Sequence, residues 1–341
     1  MTKPIASLIA VILFLAGSSG PEVPAADFYA GKTIRLVVGY APGGGYDFYA
    51  RTIARHMGKH ITGNPAFIVE NMPGAGSLVS ANHLYKIAKP DGLTIGHFNG
   101  NLFQLQAMGQ KEIDFNAARF EYVGAVARVE IACGLSKASG IDSEQMAGLE
   151  GCAANGRHCA GNGGLRHVSA AKLDSRFPAA IGAGLQEYGR NARGGGKGRA
   201  PRGLHGVGKF AIAMEKFHRE WGTGDCPAAL PKPHMELPKV PLAINFAKTE
   251  EARQLIQIGV HDVSAASRPF MLSPGTPKDR VQILRKAFTA TMRDPSFLAD
   301  AERASLDIAP LTGEELEKTV HGLLKTSPAM LAKLKQILAP Q

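Results

Sequence analysis

Tryptophan occurs once in these 341 residues and cysteine four times, and Phe, Trp and Tyr together make up only 7%. Set against 40 glycines, that scarcity of aromatics argues against an all-β sandwich or barrel and for an α/β chain with many turns. The four cysteines, Cys133, Cys152, Cys159 and Cys226, are too few to hold a chain of this length as a disulfide framework, and their spacing fits no zinc site. No metal is expected. Long apolar runs are missing too. The first, Ile5 to Gly17, has thirteen residues against the roughly 20 that cross a bilayer, and no later segment reaches that length. Apolar residues overall are not scarce, at 45%, which excludes a wholly disordered chain and supplies cores for about two domains.

The thirteen-residue run follows Met1-Thr2-Lys3 and precedes Val23-Pro24-Ala25-Ala26, the charged, apolar and small-residue order of a secretory signal, here residues 1–25. The expectation is an exported, soluble mature protein. The first cysteine is Cys133, so nothing near the cleavage region takes a lipid anchor. Export would place the four cysteines in an oxidising compartment, available for pairing.

From Lys32 onward the pattern is α/β. Thr33-Ile34-Arg35-Leu36-Val37-Val38 is a β-branched run suited to a buried parallel strand. Gly39-Tyr40-Ala41-Pro42-Gly43-Gly44-Gly45 breaks it. Tyr46, Tyr49, Ala50, Ile53, Ala54, Met57 and Ile61 then recur at three- and four-residue steps, with Arg51, Arg55 and Lys59 opposite, as in an amphipathic helix. Ala66–Val69 reads as a second strand, Asn71-Met72-Pro73-Gly74-Ala75-Gly76 as a turn, and Leu78 to Ile87 as a second helix. Leu93–Gly96 reads as a third strand, followed by the loop His97-Phe98-Asn99-Gly100-Asn101. Such strand–loop–helix units in succession imply a parallel sheet, because parallel neighbours need a crossover. Near the C-terminus, Val281, Leu284, Phe288 and Met292 form one helical stripe that Asp294-Pro295 ends, and Gly313-Glu314-Glu315 opens another helix with acidic residues in its first turn.

The glycine turns invite a phosphate-loop reading, which fails in detail. Gly43-Gly44-Gly45 is not followed by Gly-Lys-Ser/Thr, and Phe48 stands where a dinucleotide loop needs its last glycine, so no nucleotide cofactor is expected. The physics behind such loops still holds: glycines let backbone N–H groups approach a ligand, and a helix N-terminus attracts an anion. A carboxylate accepting three or four such bonds at ~1.5–3 kcal/mol each would gain roughly 5–10 kcal/mol before ordering costs. Micromolar binding needs about 8 kcal/mol net, so the loops must be preorganised. Two such loops and a third after the next strand would converge at the C-terminal edge of the sheet, where open α/β sheets bind ligands. Asp47 is placed to orient a loop N–H or to receive a ligand hydroxyl, and Asn71 to brace its own turn. No Ser/His/Asp or Cys/His set stands in a recognisable context, so no catalytic residue is nominated.

The middle of the chain differs in kind. Residues 148–235 hold 18 of the 40 glycines, three of the four cysteines, and 13 Lys and Arg against 6 Asp and Glu. Most of the net charge of +10 therefore sits there. The run from Gly189 to Arg199 has neither helical nor strand periodicity and does not readily bury a core.

The ordered loops carry a family likeness. Pro42-Gly43-Gly44-Gly45-Tyr46-Asp47, then Val69-Glu70-Asn71-Met72-Pro73-Gly74-Ala75-Gly76, then Lys89-Pro90-Asp91-Gly92-Leu93-Thr94 resemble the periplasmic substrate-binding receptors of tripartite tricarboxylate transporters. The segments Leu237–Pro241, Arg268-Pro269-Phe270, Pro274–Pro277 and Asp294–Phe297 resemble that family's closing part, so the likeness covers roughly residues 27–146 and 236–341. It implies a type II periplasmic-binding-protein fold: two domains of parallel or mixed sheet flanked by helices, with a hinge and a ligand cleft. Residues 27–126 plus 245–341 would form domain one and 127–244 domain two. It further implies a monomeric receptor that binds a small organic carboxylate and delivers it to membrane transporter subunits, with neither an enzymatic step nor a nucleic-acid partner. Carried over by position, Tyr40, Ala41, Pro42, Gly43, Gly44, Gly45 and Asp47, with Asn71, Pro73, Gly74, Ala75, Gly76 and Asn99, form the domain-one half of the cleft. The second-domain contacts have no counterpart between 148 and 235. We read that stretch as translated out of frame, with compensating shifts near Ala147 and Met235; the alternative is a divergent basic domain. Two further readings stay open: a receptor impaired by that segment, and a basic protein binding nucleic acid or a membrane surface through residues 189–219.

Overall fold

A computed structural model describes residues 28–128, 134–136, 223–225, 231–233 and 242–338. The expected signal, residues 1–25, all four cysteines, the run 189–219 and nearly all of 148–235 lie outside the described residues. So does the basis for judging the out-of-frame reading.

Three crossover units open the fold: β1 (Thr33–Val38), α1 (Gly45–His56), β2 (Ala66–Asn71), α2 (Leu78–Lys86), β3 (Thr94–His97) and α3 (Asn101–Ala107). β4 (Glu121–Ala125) follows, and β5 (Gly134–Ser136) pairs with β6 (Thr223–Asp225) in a separate antiparallel ribbon. The C-terminal part supplies α4 (Glu250–Ile256), a π-helical turn Gln257–His261, α5 (Asp262–Ala265), β7 (Pro269–Leu272), α6 (Lys278–Thr291) and α7 (Pro295–Arg303). β8 (Leu311–Thr312), α8 (Gly313–Leu324) and α9 (Pro328–Leu338) complete it.

The main sheet has the order β2-β1-β3-β7-β4-β8. β1 is parallel to both β2 and β3, as the succession of units requires, whereas β7 runs antiparallel to β3 and β4, and β8 antiparallel to β4. The sheet is thus mixed. Because β2 lies on one side of β1 and β3 on the other, the chain reverses its direction of progress after β2, and the switch point lies between β1 and β3, which the chain leaves toward β2 and toward β4 respectively. Two cores follow. One face of the sheet packs Ile34, Leu36 and Val38 against Tyr49, Ile53 and Met57 of the α1 side and against Val281, Leu284, Phe288 and Phe297. The other packs Phe98, Tyr122 and Met271 against Ala81 and Leu84 of α2, Phe103 of α3, and Leu316 and Val320 of α8. Each fully buried aliphatic or aromatic side chain contributes about 1.5–3 kcal/mol, so the continuous apolar run of β1 is explained by helices on both faces.

Several boundaries move relative to the sequence reading. Asn71 ends β2 rather than starting a turn, because its backbone pairs with Val38 in the β1 ladder. The third strand runs one residue further, to His97, which pairs with Phe270. α1 stops at His56, and Met57–His60 continue as a 3-10 turn. Asp294 does not merely end α6: its carboxylate accepts the Ser296 N–H and caps α7, with Pro295 in the first turn. α8 starts with a capping box between Thr312 and Glu315.

Candidate functional site

The loops after β1, β2 and β3 meet at one edge of the sheet, and a polar network ties the first two together. Asp47 is buried in the first turn of α1. Its Oδ2 accepts the Gly43 N–H and Arg51 Nε–H, each at 2.9 Å, and its Oδ1 accepts from Asn71 Nδ2 at 2.9 Å. Asn71 Nδ2 also donates to the Tyr40 carbonyl at 2.9 Å, while its Oδ1 receives Arg51 Nη2 at 3.1 Å. Asn71 therefore braces the first loop, not its own turn. Its place opposite Val38 aims it across the ladder. Burial pushes the Asp47 carboxyl up, but the bonds from Arg51, Gly43 and Asn71 prevail and hold it below the ordinary carboxylate range. Its charge is matched within the loop by Arg51.

The second loop carries four consecutive residues at positive φ: Gly74 at 147°, Ala75 at 46°, Gly76 at 63° and Ser77 at 76°. For Ala75 and Ser77 this costs about 1–2 kcal/mol each. The surroundings enforce it. Ser77 is buried, its Oγ accepts the Asn99 N–H at 2.9 Å, and its carbonyl accepts from Ser80 Oγ at 2.8 Å. Backbone strain held in place by neighbouring loops is a recurrent property of ligand clamps. The third loop is braced by Asn99, whose Oδ1 accepts the Asn101 N–H at 3.0 Å. Tyr40 faces the other two loops: the Asn99 and Ser77 side chains act on its hydroxyl, and its ring stacks on Tyr46 at 4.4 Å. Burial raises the Tyr40 hydroxyl, so it stays neutral.

Of the residues nominated from sequence, Ala41, Pro42, Gly43, Pro73, Ala75 and Gly76 are exposed at the loop tips. Tyr40, Gly44, Gly45, Asn71 and Gly74 are half-buried, and Asp47 and Asn99 are buried braces. Neither α1 after Gly44 nor α2 after Ser77 has a side-chain cap; the Leu78 N–H is taken by the Ala75 carbonyl, so it is the start of α1 that offers its first N–H groups to an outside acceptor. The arrangement can hold an anion by backbone donors.

Residues missed from sequence are Gly39, Ser77, Tyr46, His97 and Arg268. The ideal Cβ of Gly39 would lie 2.3 Å from Ser77 Cβ, so its lack of a side chain lets the second loop seat on the first strand. His97 is fully buried between Phe270, stacked at 4.1 Å, and Tyr46, and its Nδ1 donates to the Pro269 carbonyl at 2.8 Å. Burial drives its pKa down to about 3, so it brings no charge to the site at neutral pH. Arg268 lies against Gly45 from the far side of the loop. No local pattern connects an arginine before β7 to a loop more than two hundred residues earlier.

The fold is the one seen in solved periplasmic binding proteins. No family model matches the chain. Over part of its length it is similar in sequence to UPF0065 and Bug proteins. It is 36% identical over 100 residues to "UPF0065 protein in gbd 5'region" of Cupriavidus necator, covering 29% of this chain and 30% of that one. It is 35% identical over 89 residues to "Protein BugT" of Bordetella pertussis, covering 26% of each. The chain thus spans about a third or less of the length of the curated relatives it matches. By structure it shares the fold of a TctC solute binding protein from Polaromonas, with a TM-score of 0.59 at 18% identity over 90% of this chain and 99% of that one. The periplasmic binding protein BugD gives a TM-score of 0.54 at 16% identity, over 91% and 98% of the two chains. MatC from Rhodopseudomonas palustris, solved with bound malate, gives 0.51 at 17%, over 90% and 99%.

Proposed function

We propose that this chain is an extracytoplasmic solute receptor that binds a small organic anion, a carboxylate or dicarboxylate, and presents it to a membrane transporter, without catalysing a reaction. The observation that carries this is the uncapped start of α1 after Gly44, held at one sheet edge beside the left-handed second loop by the Asp47–Asn71–Arg51 network and the Ser77–Asn99 bond. A preorganised set of N–H donors needs no ordering when an anion arrives, which is the condition for micromolar affinity. The exposed tips, Ala41–Gly43 with Pro73, Ala75 and Gly76, are the contact surface in this reading, and Asp47, Asn71 and Asn99 hold it in shape. The relation to Bug proteins and the malate bound by a protein of the same fold support the ligand class. Residues 127–244 would supply the opposing domain, and the periplasm is the compartment that the fold class and the N-terminal signal pattern favour.

A thermal-shift panel of mono-, di- and tricarboxylates, with sugars and amino acids as controls, tests the reading. At a concentration one hundred times its Kd, a true ligand adds about 2.7 kcal/mol to stability. A rise in Tm with one or more carboxylates and none with the controls is expected. No shift with any carboxylate, or a shift with a neutral sugar alone, sinks it.

A further inference from the structure

Behind the first glycine loop sits a cation that no carboxylate among the described residues neutralises. The Arg268 guanidinium lies between two tyrosine rings, its Cζ 5.0 Å from the Tyr46 centroid and 4.7 Å from that of Tyr49. Both rings are anchored: Tyr46 OH donates to the Ser267 carbonyl at 2.6 Å and Tyr49 OH to the Asp307 carbonyl at 2.8 Å. On its open side the guanidinium faces Gly45, the first residue of α1, whose ideal Cβ would stand 3.3 Å from Nη1. That Nη1 is buried without a hydrogen-bond partner. An unmet guanidinium N–H in a dry place is a cost, and folded proteins keep such groups where a function needs the charge. The positive end of α1 points to the same spot. Of the carboxylates near the loop, Asp47 is already matched by Arg51, and Asp307 acts on the Tyr49 hydroxyl from the other side of that ring. The charge of Arg268 is felt throughout the loop, since it pulls the hydroxyls of Tyr40, Tyr46 and Tyr49 downward against the upward push of burial.

We propose that Arg268 is the positioning charge of the anion site: seated under Gly45, it sets the positive potential of the first loop and makes the site choose anions over neutral solutes of the same shape. This rests on the receptor reading and deepens it. Nη1 is buried although the residue as a whole is half-buried, so through Nη1 Arg268 acts across the loop backbone by Coulomb attraction, and the attraction grows with each negative charge on the ligand.

The test uses the full chain, with adipate and its monoanionic counterpart hexanoate as probes, by calorimetry at two ionic strengths. Arg268→Met fills the slot between the rings without a charge. It is expected to keep or raise Tm, because it removes an unmet buried donor. It is also expected to weaken adipate by about tenfold or more, hexanoate by less, and to flatten the salt dependence of binding. Arg268→Lys is expected to recover most of the adipate affinity. A merely structural arginine predicts the reverse, a lower Tm with unchanged affinity and salt dependence, and that result overturns the proposal. Equal losses in Arg268→Met and Arg268→Lys also overturn it, since the charge would then not be the cause. If Arg268→Met has no cooperative transition, Arg268→Lys and the wild type decide: salt-independent adipate binding by both is against the proposal, and a matching salt-sensitive affinity is for it. Failure of the wild-type chain to bind either probe while another carboxylate of the panel shifts its Tm moves the same comparison to that carboxylate; failure with the whole panel removes the receptor reading and this inference with it.

Discussion

Gly39 and Gly43 lie four residues apart in one loop and carry opposite constraints. A Cβ on Gly39 would stand 2.3 Å from Ser77 Cβ and 2.5 Å from Ser80 Oγ, inside a buried junction that cannot open without moving the second loop. A Cβ on Gly43 would meet nothing within 4 Å, and only its φ of +84° resists a side chain. Gly39→Ala is therefore expected to destabilise by about 2–4 kcal/mol, through overpacking and loss of the loop's seating. Gly43→Ala should cost about 1 kcal/mol. Urea unfolding of the two variants checks the order, and a Gly43→Ala loss equal to or above that of Gly39→Ala would show that crowding at the junction is not what shapes the loop. The sequence marks both positions as glycine in a turn and says nothing about which one is crowded. Crowding at Gly39 comes from Ser77, a residue of a different loop, and cross-loop contacts leave no local periodicity to read. For the same reason Asp47 and Asn71 were legible as loop residues, whereas their mutual bond and the role of Arg51 were not.

Elements were more legible than contacts. The stripes of α1 and α6 and the apolar runs of β1 and β3 follow from the periods of 3.6 and 2 that any amphipathic element must show. Where α1 ends was not legible, because its last turn is decided by a partner element. Asp300 on α7 accepts from His56 Nε2 at 2.9 Å and Arg55 Nε at 3.0 Å and also pairs with Arg303, while Asp294 pairs with Lys59 and with His60 Nε2 at 2.8 Å. The C-terminal end of the ligand-loop helix is thereby pinned to α7. Hydrogen bonds from His56, Arg303 and Arg55 hold the Asp300 carboxyl well below the usual carboxylate range, and Lys59, Ser296 and His60 do the same for Asp294. Because both folded-state pKa values are depressed, their contribution is present above the unfolded value of about 3.9 and is lost as pH falls through the folded values. Asp300→Asn is expected to lower the urea midpoint at pH 7, and the gap from wild type should narrow as pH drops below about 4. High salt should narrow it too, since Arg55 and Arg303 are largely exposed. A gap that stays constant from pH 7 to pH 3 would show that the ion pairs do not hold the helix.

At the scale of the molecule, the decisive fact is where β7 sits. Pro269–Leu272 comes late in the chain yet lies between β3 and β4, with all four residues buried. β4 pairs only with β7 and β8, so the first hundred described residues cannot close their own sheet. Both cores also depend on the late segment, one through Phe270, Leu272, Leu284 and Phe288, the other through Met271, Leu316 and Val320. Closing the long stretch between Ala125 and Pro269 costs chain entropy, but that cost grows only with the logarithm of loop length, so a long intervening segment adds little to the cost of closing the sheet. That is the physical reason a well-formed domain stands beside a stretch as long as 148–235. It follows that a fragment ending at Arg128 should fail to fold alone: β4 would lose both its neighbours, β3 would become an exposed edge, and both apolar faces would be wet. Circular dichroism and urea titration of fragment 28–128 should show no cooperative transition, and adding fragment 242–338 in trans should restore one. A sharp, reversible transition in 28–128 by itself would mean that the late strand decorates a sheet already complete without it, and the placing of Arg268 beneath the first loop would then be incidental to the fold.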